Sequence, residues 1–241
     1  MSILMVQREF ALRLLARPGD SMYSRLSVNA QFFARVSHIM KVGRKNFTPP
    51  PQVESSVVRL EPRSGRPDIS WAEFDGLLRI CFVRKNKTMR ASWTGRQVLE
   101  MLERNWVTWA AMYPEEVQAG DYDFLRSDVT AEEVTTIDGD QMDEEDNDAG
   151  DLDEFQEEMD LVFDQPRPAQ ILNSKKQQHV GKVVTIGGTQ FPRPRIASLI
   201  RVKILRVLEQ TGLTAQRANK CDETDFLRLL YAFNQEGIRF S

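Results

Sequence analysis

The sequence predicts an α/β segment over residues 1–62, followed by a helical domain that carries a long acidic insert. Three features lead to this prediction: apolar residues alternate with polar ones over 25–42, apolar residues recur at helical spacing from residue 70 onwards, and acidic residues crowd 121–164. A chain of 241 residues with 41% hydrophobic residues is long enough to bury a core. It has no apolar run of about 18 residues or more, so no membrane span is expected. Its first ten residues lack the pattern of a secretory signal.

The α/β segment begins with a short apolar run at residues 3–7, which predicts a strand. Apolar residues at helical spacing follow, and they predict a helix that ends before Pro18. Residues 25–42 place apolar side chains at even positions and polar ones at odd positions, which predicts one long strand with a buried face. Residues 52–60 resume a β-branched pattern after three prolines. Two strands joined by such a loop predict an antiparallel hairpin.

The helical part is predicted from its start and stop signals. Ser70 and Glu73 form a candidate capping box, and an apolar helical face follows them. A second helix is predicted over roughly 95–112. Helices resume near Ala197, with Leu199, Val202, Leu205 and Leu208 facing one way and Gly212 at the end, and the last helix runs from Asp222 to Gly237. The predicted domains are 1–62, then 63–113 together with 197–241, with residues 114–196 as an acidic and largely disordered insert.

The acidic stretch hides an otherwise basic protein. The formal net charge is −3, but residues 121–164 contain 19 acidic residues and one basic residue, and the remainder has a net charge of +15. A basic folded part is typical of nucleic-acid-binding proteins. The acidic stretch is a partner-binding tail, a nucleic-acid mimic or a solubilising loop, and its composition favours the last of these.

Two segments are candidates for contact with RNA. Phe47 lies in a proline-stiffened loop between basic residues, where its ring either stacks on a base or covers a hydrophobic edge; composition alone favours the second. The segment from Phe82 to Arg90 is either a phosphate-binding patch or a solvated basic face. The residues that we assign to RNA binding are Arg25, Arg44, Lys45, Arg84, Lys85, Lys87 and Arg90.

Catalytic and metal-binding patterns do not emerge from the sequence. Cys81 and Cys221 lie far apart, which favours two reduced, buried thiols of an intracellular protein over a disulfide. The two histidines, His38 and His179, belong to no cluster with metal-ligand spacing, so no metal is expected. The segment IGGTQ at 186–190 lacks the spacing of a nucleotide-binding loop. The residues alone therefore predict a basic RNA-binding module without catalytic apparatus.

Three blocks of sequence resemble one enzyme family. The segment LMVQREFALRLLARPGD at 4–20, continued by KVGRKNFTPPPQVESSVVRL at 41–60, resembles the C-terminal part of the methylase domain of the rRNA adenine N6,N6-dimethyltransferases. FDGLLRICFVRKNKT and KCDETDFLRLLYAFNQEGIRFS resemble the eukaryotic branch, which modifies small-subunit rRNA. The resemblance covers about 1–113 and 198–241. It implies the end of a class I methyltransferase sheet, with 3–7 as the fifth strand and a terminal antiparallel hairpin, followed by a small helical domain.

The resemblance also implies a function. The family uses S-adenosylmethionine to dimethylate two adjacent adenines of 18S rRNA in pre-ribosomal particles, in the nucleolus and not at a membrane. It matches Phe47 to the aromatic residue that stacks on the target adenine. The family's Gly-rich loop, its ribose-binding acidic residue and its Asn-Leu-Pro-Tyr motif have no counterpart here. We therefore assign no catalytic or cofactor-binding residue and expect an inactive C-terminal fragment that does not bind S-adenosylmethionine. The alternative is a non-catalytic RNA-binding module for ribosome assembly. The partner of the acidic insert is unknown.

Overall fold

The computed structural model describes residues 1–65, 67–127 and 183–240. These residues divide into two compact units. The first comprises Met1–Ala91 and Leu208–Ala232, and the second comprises Ser92–Val207 and Phe233–Phe240. No helix in the described part of the chain is long and apolar enough to cross a membrane.

A three-stranded sheet organises the first unit. Strands β1 (Ser2–Gln7), β2 (Ala34–Val42) and β3 (Ser55–Pro62) lie in the order β1-β3-β2, and β3 runs antiparallel to both neighbours. Helix α1 (Arg8–Leu15) begins directly after β1. The core beneath the sheet centres on Val58 of β3, against which Ala11 and Leu14 of α1 pack. The predicted strand at 3–7 and the helix after it are confirmed.

The prediction of one strand over 25–42 is wrong for its first half. Arg25–Phe33 forms helix α2, and strand β2 begins only at Ala34. Val28 and Phe32 are buried, and residues four apart share a face of a helix as well as a face of a strand, so even spacing fits both structures. The local signal for a helix lies at its start, where the backbone N–H of Ser24 donates to Oγ of Ser27 at 3.1 Å.

The remaining helices mostly follow the predicted apolar periodicity. Ser70 caps α3, because its Oγ accepts from the backbone N–H of Glu73 at 3.5 Å, as the sequence predicts. Cys81 and Cys221 are buried and form no disulfide, which agrees with the prediction of two thiols, and burial raises the pKa of Cys221 to about 12. The helices are α3 (Trp71–Val83), α4 (Met89–Trp93), α5 (Arg96–Met112), α6 (Ala119–Arg126), α7 (Arg193–Thr211) and α8 (Glu223–Gln235).

The boundaries predicted for the acidic insert, 114–196, are too wide at both ends. Helix α6 buries Leu125, and a hairpin of β4 (Val183–Ile186) and β5 (Thr189–Pro192) precedes α7. Composition averaged over the whole segment masked the few apolar residues that suffice to anchor each end. Gly187 and Gly188 form the hairpin turn with φ values of +54° and +80°, so the Gly-Gly pair between two short apolar runs was the available signal. Most of the acidic run, and His179, lie outside the described residues.

Helix α7 is buried on a different face from the predicted one. Leu199 and Leu208 are buried as expected, whereas Val202 and Leu205 are only partly buried. The buried face is completed by Ile196, Ile200, Lys203, Ile204 and Val207. The predicted face followed a period of three, and the actual period of 3.6 rotates the buried stripe onto residues that a three-residue spacing omits.

Candidate nucleic-acid interface

The loop from Gly43 to Glu54 joins β2 to β3 and presents the predicted aromatic residue. A 3₁₀ turn over Arg44–Asn46 opens the loop, and the backbone N–H of Phe47 donates to the carbonyl of Arg44 at 3.3 Å. The peptide bond between Thr48 and Pro49 is cis. Phe47 is partly buried, whereas Arg44 and Lys45 are exposed. The loop therefore combines a partly buried aromatic side chain with two solvent-exposed cations.

Glu54 fastens the end of this loop to the rest of the first unit. Its carbonyl accepts the backbone N–H of Arg8 at 2.9 Å, and its Oε2 lies 3.0 Å from Nη1 of Arg8 and 2.9 Å from Nζ of Lys41. The hydrogen bond from Lys41, followed by the attraction of Arg8, lowers the pKa of Glu54. No sequence pattern points to Glu54 as a functional residue, because Arg8 and Glu54 are 46 positions apart.

A groove of about 300 Å³ opens beside the loop, where β1 ends and α1 begins. Leu12 and Val53 give it apolar surface, and Arg8 and Arg44 supply positive charge. The complete lining is Gln7, Arg8, Glu9, Leu12, Arg44, Val53 and Glu54. Glu9 and Glu54 balance the charge of the two arginines, and Arg8 is paired with Glu54, so the groove offers apolar surface without an excess of positive charge.

The same groove does not fit S-adenosylmethionine. Strand β1 passes directly into α1 at Gln7 and Arg8, with no glycine between them to let a ligand approach the backbone. Glu54, a candidate for a ribose hydroxyl, is already held by Arg8 and Lys41. No step of methyl transfer is therefore assigned to these residues. The described residues also contain no cluster that could hold a metal ion.

The second segment predicted to bind RNA, Phe82 to Arg90, contains a residue that makes hydrogen bonds within the first unit. Lys85 donates through Nζ to the carbonyls of Ser21 at 3.1 Å and Tyr23 at 3.4 Å, so its ammonium fastens a loop of the first unit. Arg84 ends α3 and is partly buried, as is Arg90, whereas Lys87 is exposed. The assignment of Lys85 to RNA is accordingly weakened.

Arg25 also has an internal role. Its Nε lies 4.0 Å from Oδ1 of Asp75, which Asn29 and Arg79 contact as well. The assignment of Arg25 to RNA is weakened for the same reason as that of Lys85. Among the predicted residues, Arg44, Lys45 and Phe47 lie in one loop, and Arg84, Lys85 and Lys87 lie in the turn between α3 and α4.

Two cations of α7 make ion pairs inside the second unit. Lys203 is fully buried, with Nζ 2.8 Å from Asp121 and 3.4 Å from Glu236. Arg193 lies 3.1 Å from Glu103. Burial raises the pKa of Asp121, and the hydrogen bond from Lys203 opposes that rise. These contacts remove Lys203 and Arg193 from a phosphate-binding surface.

Comparison with known proteins identifies the relatives of this chain. Residues 1–113 match the family described as ribosomal RNA adenine dimethylase. Over the whole chain, the sequence is 44% identical to the dimethyladenosine transferase of Candida glabrata, of which it covers 53%. It is 39% identical to the ribosomal RNA small subunit methyltransferase of Arabidopsis thaliana, of which it covers 58%.

A solved structure supports the same relationship. The crystal structure of a dimethyladenosine transferase from Plasmodium falciparum aligns with a TM-score of 0.59 at 30% identity, covering 99% of this chain and 58% of that one. The chain thus spans a little over half the length of the relatives it matches. Residues 1–113 are thus similar to the ribosomal RNA adenine dimethylase family, and the whole chain is similar to about half of the dimethyladenosine transferases of Candida glabrata and Plasmodium falciparum.

Proposed function

We propose that this chain is part of an S-adenosylmethionine-dependent rRNA adenine N6,N6-dimethyltransferase that modifies two adjacent adenines of 18S rRNA. The observation that carries the proposal is the loop in which Phe47 follows the exposed cations Arg44 and Lys45, within the region that matches the family. In this proposal the chain works on pre-ribosomal particles in the nucleolus.

The described residues contribute RNA positioning to this activity. Arg44 and Lys45 contact phosphates, while the ring of Phe47 stacks on the target adenine. Stacking of one base on an aromatic side chain contributes about 1–3 kcal/mol. S-adenosylmethionine supplies the methyl groups, and its binding site is provided by other residues of the longer enzyme. Because the groove beside β1 does not fit that cofactor, the chain of 241 residues is expected not to bind it alone.

A chimeric enzyme tests the catalytic proposal. The matching region of the Candida glabrata relative is replaced by this chain, and dimethylation of small-subunit rRNA is measured by primer extension, which stops at dimethyladenosine. We expect the chimera to methylate. Phe47→Ala should lower the rate by about 5- to 150-fold, which corresponds to the loss of about 1–3 kcal/mol of stacking.

Two controls make this experiment decisive. Phe47→Tyr keeps a stacking face and should retain most of the activity. RNA affinity should change far less than the methylation rate in Phe47→Ala, because the substitution removes no charge. A Phe47→Ala chimera that methylates at the wild-type rate contradicts the stacking role. A chimera that is folded and binds RNA, yet never methylates, argues against the catalytic assignment of this chain.

The alternative is a non-catalytic RNA-binding module for ribosome assembly. It is favoured by the poor fit of S-adenosylmethionine to the described groove and by the basic charge of the chain outside its acidic run. Calorimetric titration of the isolated chain with S-adenosylmethionine, and separately with RNA, tests what each candidate function expects the chain to bind. Micromolar binding of S-adenosylmethionine would refute the expectation of a chain that is inactive alone. RNA binding by the chain, together with an inactive chimera, would support the assembly module.

A further inference from the structure

A second groove of about 290 Å³ lies in the first unit, away from the loop of Phe47. It is located where α1 and β3 end and where α2 passes into β2. Strand β2 starts in this groove at Ala34 and ends at Val42, next to the loop of Phe47. At about 3.3 Å per residue, the two ends of β2 are about 26 Å apart. The groove is lined by Leu15, Arg17, Gln31, Ala34, Arg35, Val36 and Arg63.

The charged residues lining this groove are all arginines. Arg17 and Arg35 are exposed, and no hydrogen bond or ion pair of either side chain is found among the described residues. Arg63 is held in place, since its Nη1 donates to the carbonyl of Gln31 at 2.8 Å and to Oε2 of Glu223 at 2.6 Å. Gln31 in turn donates through Nε2 to the carbonyls of Leu14 and Ala16, at 2.9 Å and 2.8 Å. The base of the groove is therefore held by hydrogen bonds, and the two other guanidinium groups are exposed and have no acidic partner among the described residues.

Acidic residues around the groove do not cancel this charge. Glu223 neutralises Arg63. Asp20 accepts the backbone N–H of Arg17 at 2.8 Å, and Glu61 lies opposite Arg35 across the strand pair but 3.7 Å from Arg59. The groove thus retains an excess of positive charge from Arg17 and Arg35, beside the apolar surface of Leu15 and Val36.

We propose that this groove binds a phosphodiester of the RNA backbone. The inference rests on the proposed RNA-directed function and adds a second contact site to it. Guanidinium groups bind phosphate oxygens in bidentate geometry, and the apolar floor accepts the adjoining ribose. The contact carries no base specificity, and its distance of about 26 Å along β2 from the loop of Phe47 lets it orient the RNA strand that enters that loop.

The test measures how RNA binding by the full chain depends on salt. Dissociation constants are determined for a single-stranded oligonucleotide and an RNA hairpin between 50 and 200 mM KCl. The logarithm of the association constant falls linearly with the logarithm of the salt concentration, and each lost phosphate contact should make this negative slope shallower by about 0.7–0.9. Each lost contact should also weaken binding at 0.1 M salt about five- to eightfold. We expect the double variant Arg17→Gln/Arg35→Gln to lose one or two such contacts.

The matched control is Arg13→Gln/Arg96→Gln, which removes the same charge from exposed side chains outside the groove. It should leave the slope nearly unchanged. An unchanged slope in the groove variant, with wild-type RNA binding intact, overturns the groove assignment alone. Equal losses in both double variants also overturn it, because binding would then follow total charge. Failure of the wild-type chain to bind either RNA contradicts the proposed function itself. Unchanged circular dichroism and thermal unfolding exclude misfolding as the cause.

Discussion

The buried lysine of α7 gives the most quantitative prediction. Nζ of Lys203 lies 2.8 Å from Oδ2 of Asp121, 2.8 Å from the carbonyl of Glu236 and 3.4 Å from Oε2 of Glu236. The substitution Lys203→Met keeps most of the side-chain volume and removes the charge. Glu236 retains a cation, because Nη1 of Arg206 lies 3.3 Å from Oε1. Asp121 is left as the buried group without its partner.

The expected cost of Lys203→Met is about 3–5 kcal/mol of unfolding free energy, the range for removing one partner of a buried ion pair. Arg206→Met is the matched control, since the Arg206 side chain is 49% exposed and its ion pair should contribute about 0–1 kcal/mol. Replacing both partners, as Lys203→Met/Asp121→Leu, should recover most of the loss, because apolar pairs of similar volume substitute well for buried ion pairs.

The loss should depend on pH. Burial already raises the pKa of Asp121, and Lys203 opposes that rise, so removing Lys203 should raise the pKa further. A raised carboxyl pKa destabilises the folded state above that pKa and ceases to do so below the unfolded value of about 3.9. The destabilisation by Lys203→Met should therefore be largest near pH 7 and shrink as the pH falls towards 4.

Urea unfolding followed by tryptophan fluorescence measures these effects. Trp93, Trp106 and Trp109 all belong to the second unit, so the signal reports mainly on the unit that contains Lys203. With a slope near 2 kcal/mol per molar urea, a loss of about 4 kcal/mol moves the midpoint by about 2 M. A Lys203→Met variant that stays within about 1 kcal/mol of the wild type at pH 7 would refute the reasoning.

Three further predictions concern the first unit and the acidic run. Glu54→Gln should speed amide exchange in residues 44–53, whereas the control Glu9→Gln should not. Because the pKa of Glu54 is lowered in the folded state, the stabilisation by this carboxylate is present above its unfolded pKa of about 4.3 and is lost as the pH falls below that value. Ser70→Ala should cost about 1 kcal/mol in urea unfolding through loss of the α3 cap, whereas an equal loss in Ser64→Ala would contradict that cause. Deleting residues 128–164, which contain 17 acidic residues and no basic one, should tighten RNA binding at low salt, and equal affinity at every salt concentration would reject competition by this run.

Helix starts and stops could be predicted because their signals are local. Ser70 and Glu73 are three residues apart, and the structure shows the predicted hydrogen bond between them. Phe226 and Phe233 lie on the buried face of α8, as their spacing predicts. Apolar spacing gave the wrong structure for residues 25–33, because the spacing of Val28 and Phe32 fits both a strand and a helix.

The contacts that define the candidate interface could not be predicted, because they join distant parts of the chain. Nothing near Arg8 in the sequence points to Glu54, and nothing near Lys203 points to Asp121. Lys203 contributes to the basic charge that is counted from the sequence, yet it is fully buried. Sequence composition therefore shows that the chain outside its acidic run is basic, but it does not show which of the cations are exposed to solvent.

A single irregularity in the sheet explains how the loop of Phe47 obtains its support. In the first half of β2, Val36 and His38 lie opposite Leu60 and Val58, so even-numbered residues share the face of the core. The register shifts between His38 and Met40, with Ile39 as the additional residue, and Lys41 then lies opposite Ser56 on that same face. Without the shift, Lys41 would point to the opposite face, away from Glu54. The bulge therefore places Lys41 where it pairs with Glu54, and this ion pair adds to the two contacts by which Arg8 holds the end of the loop.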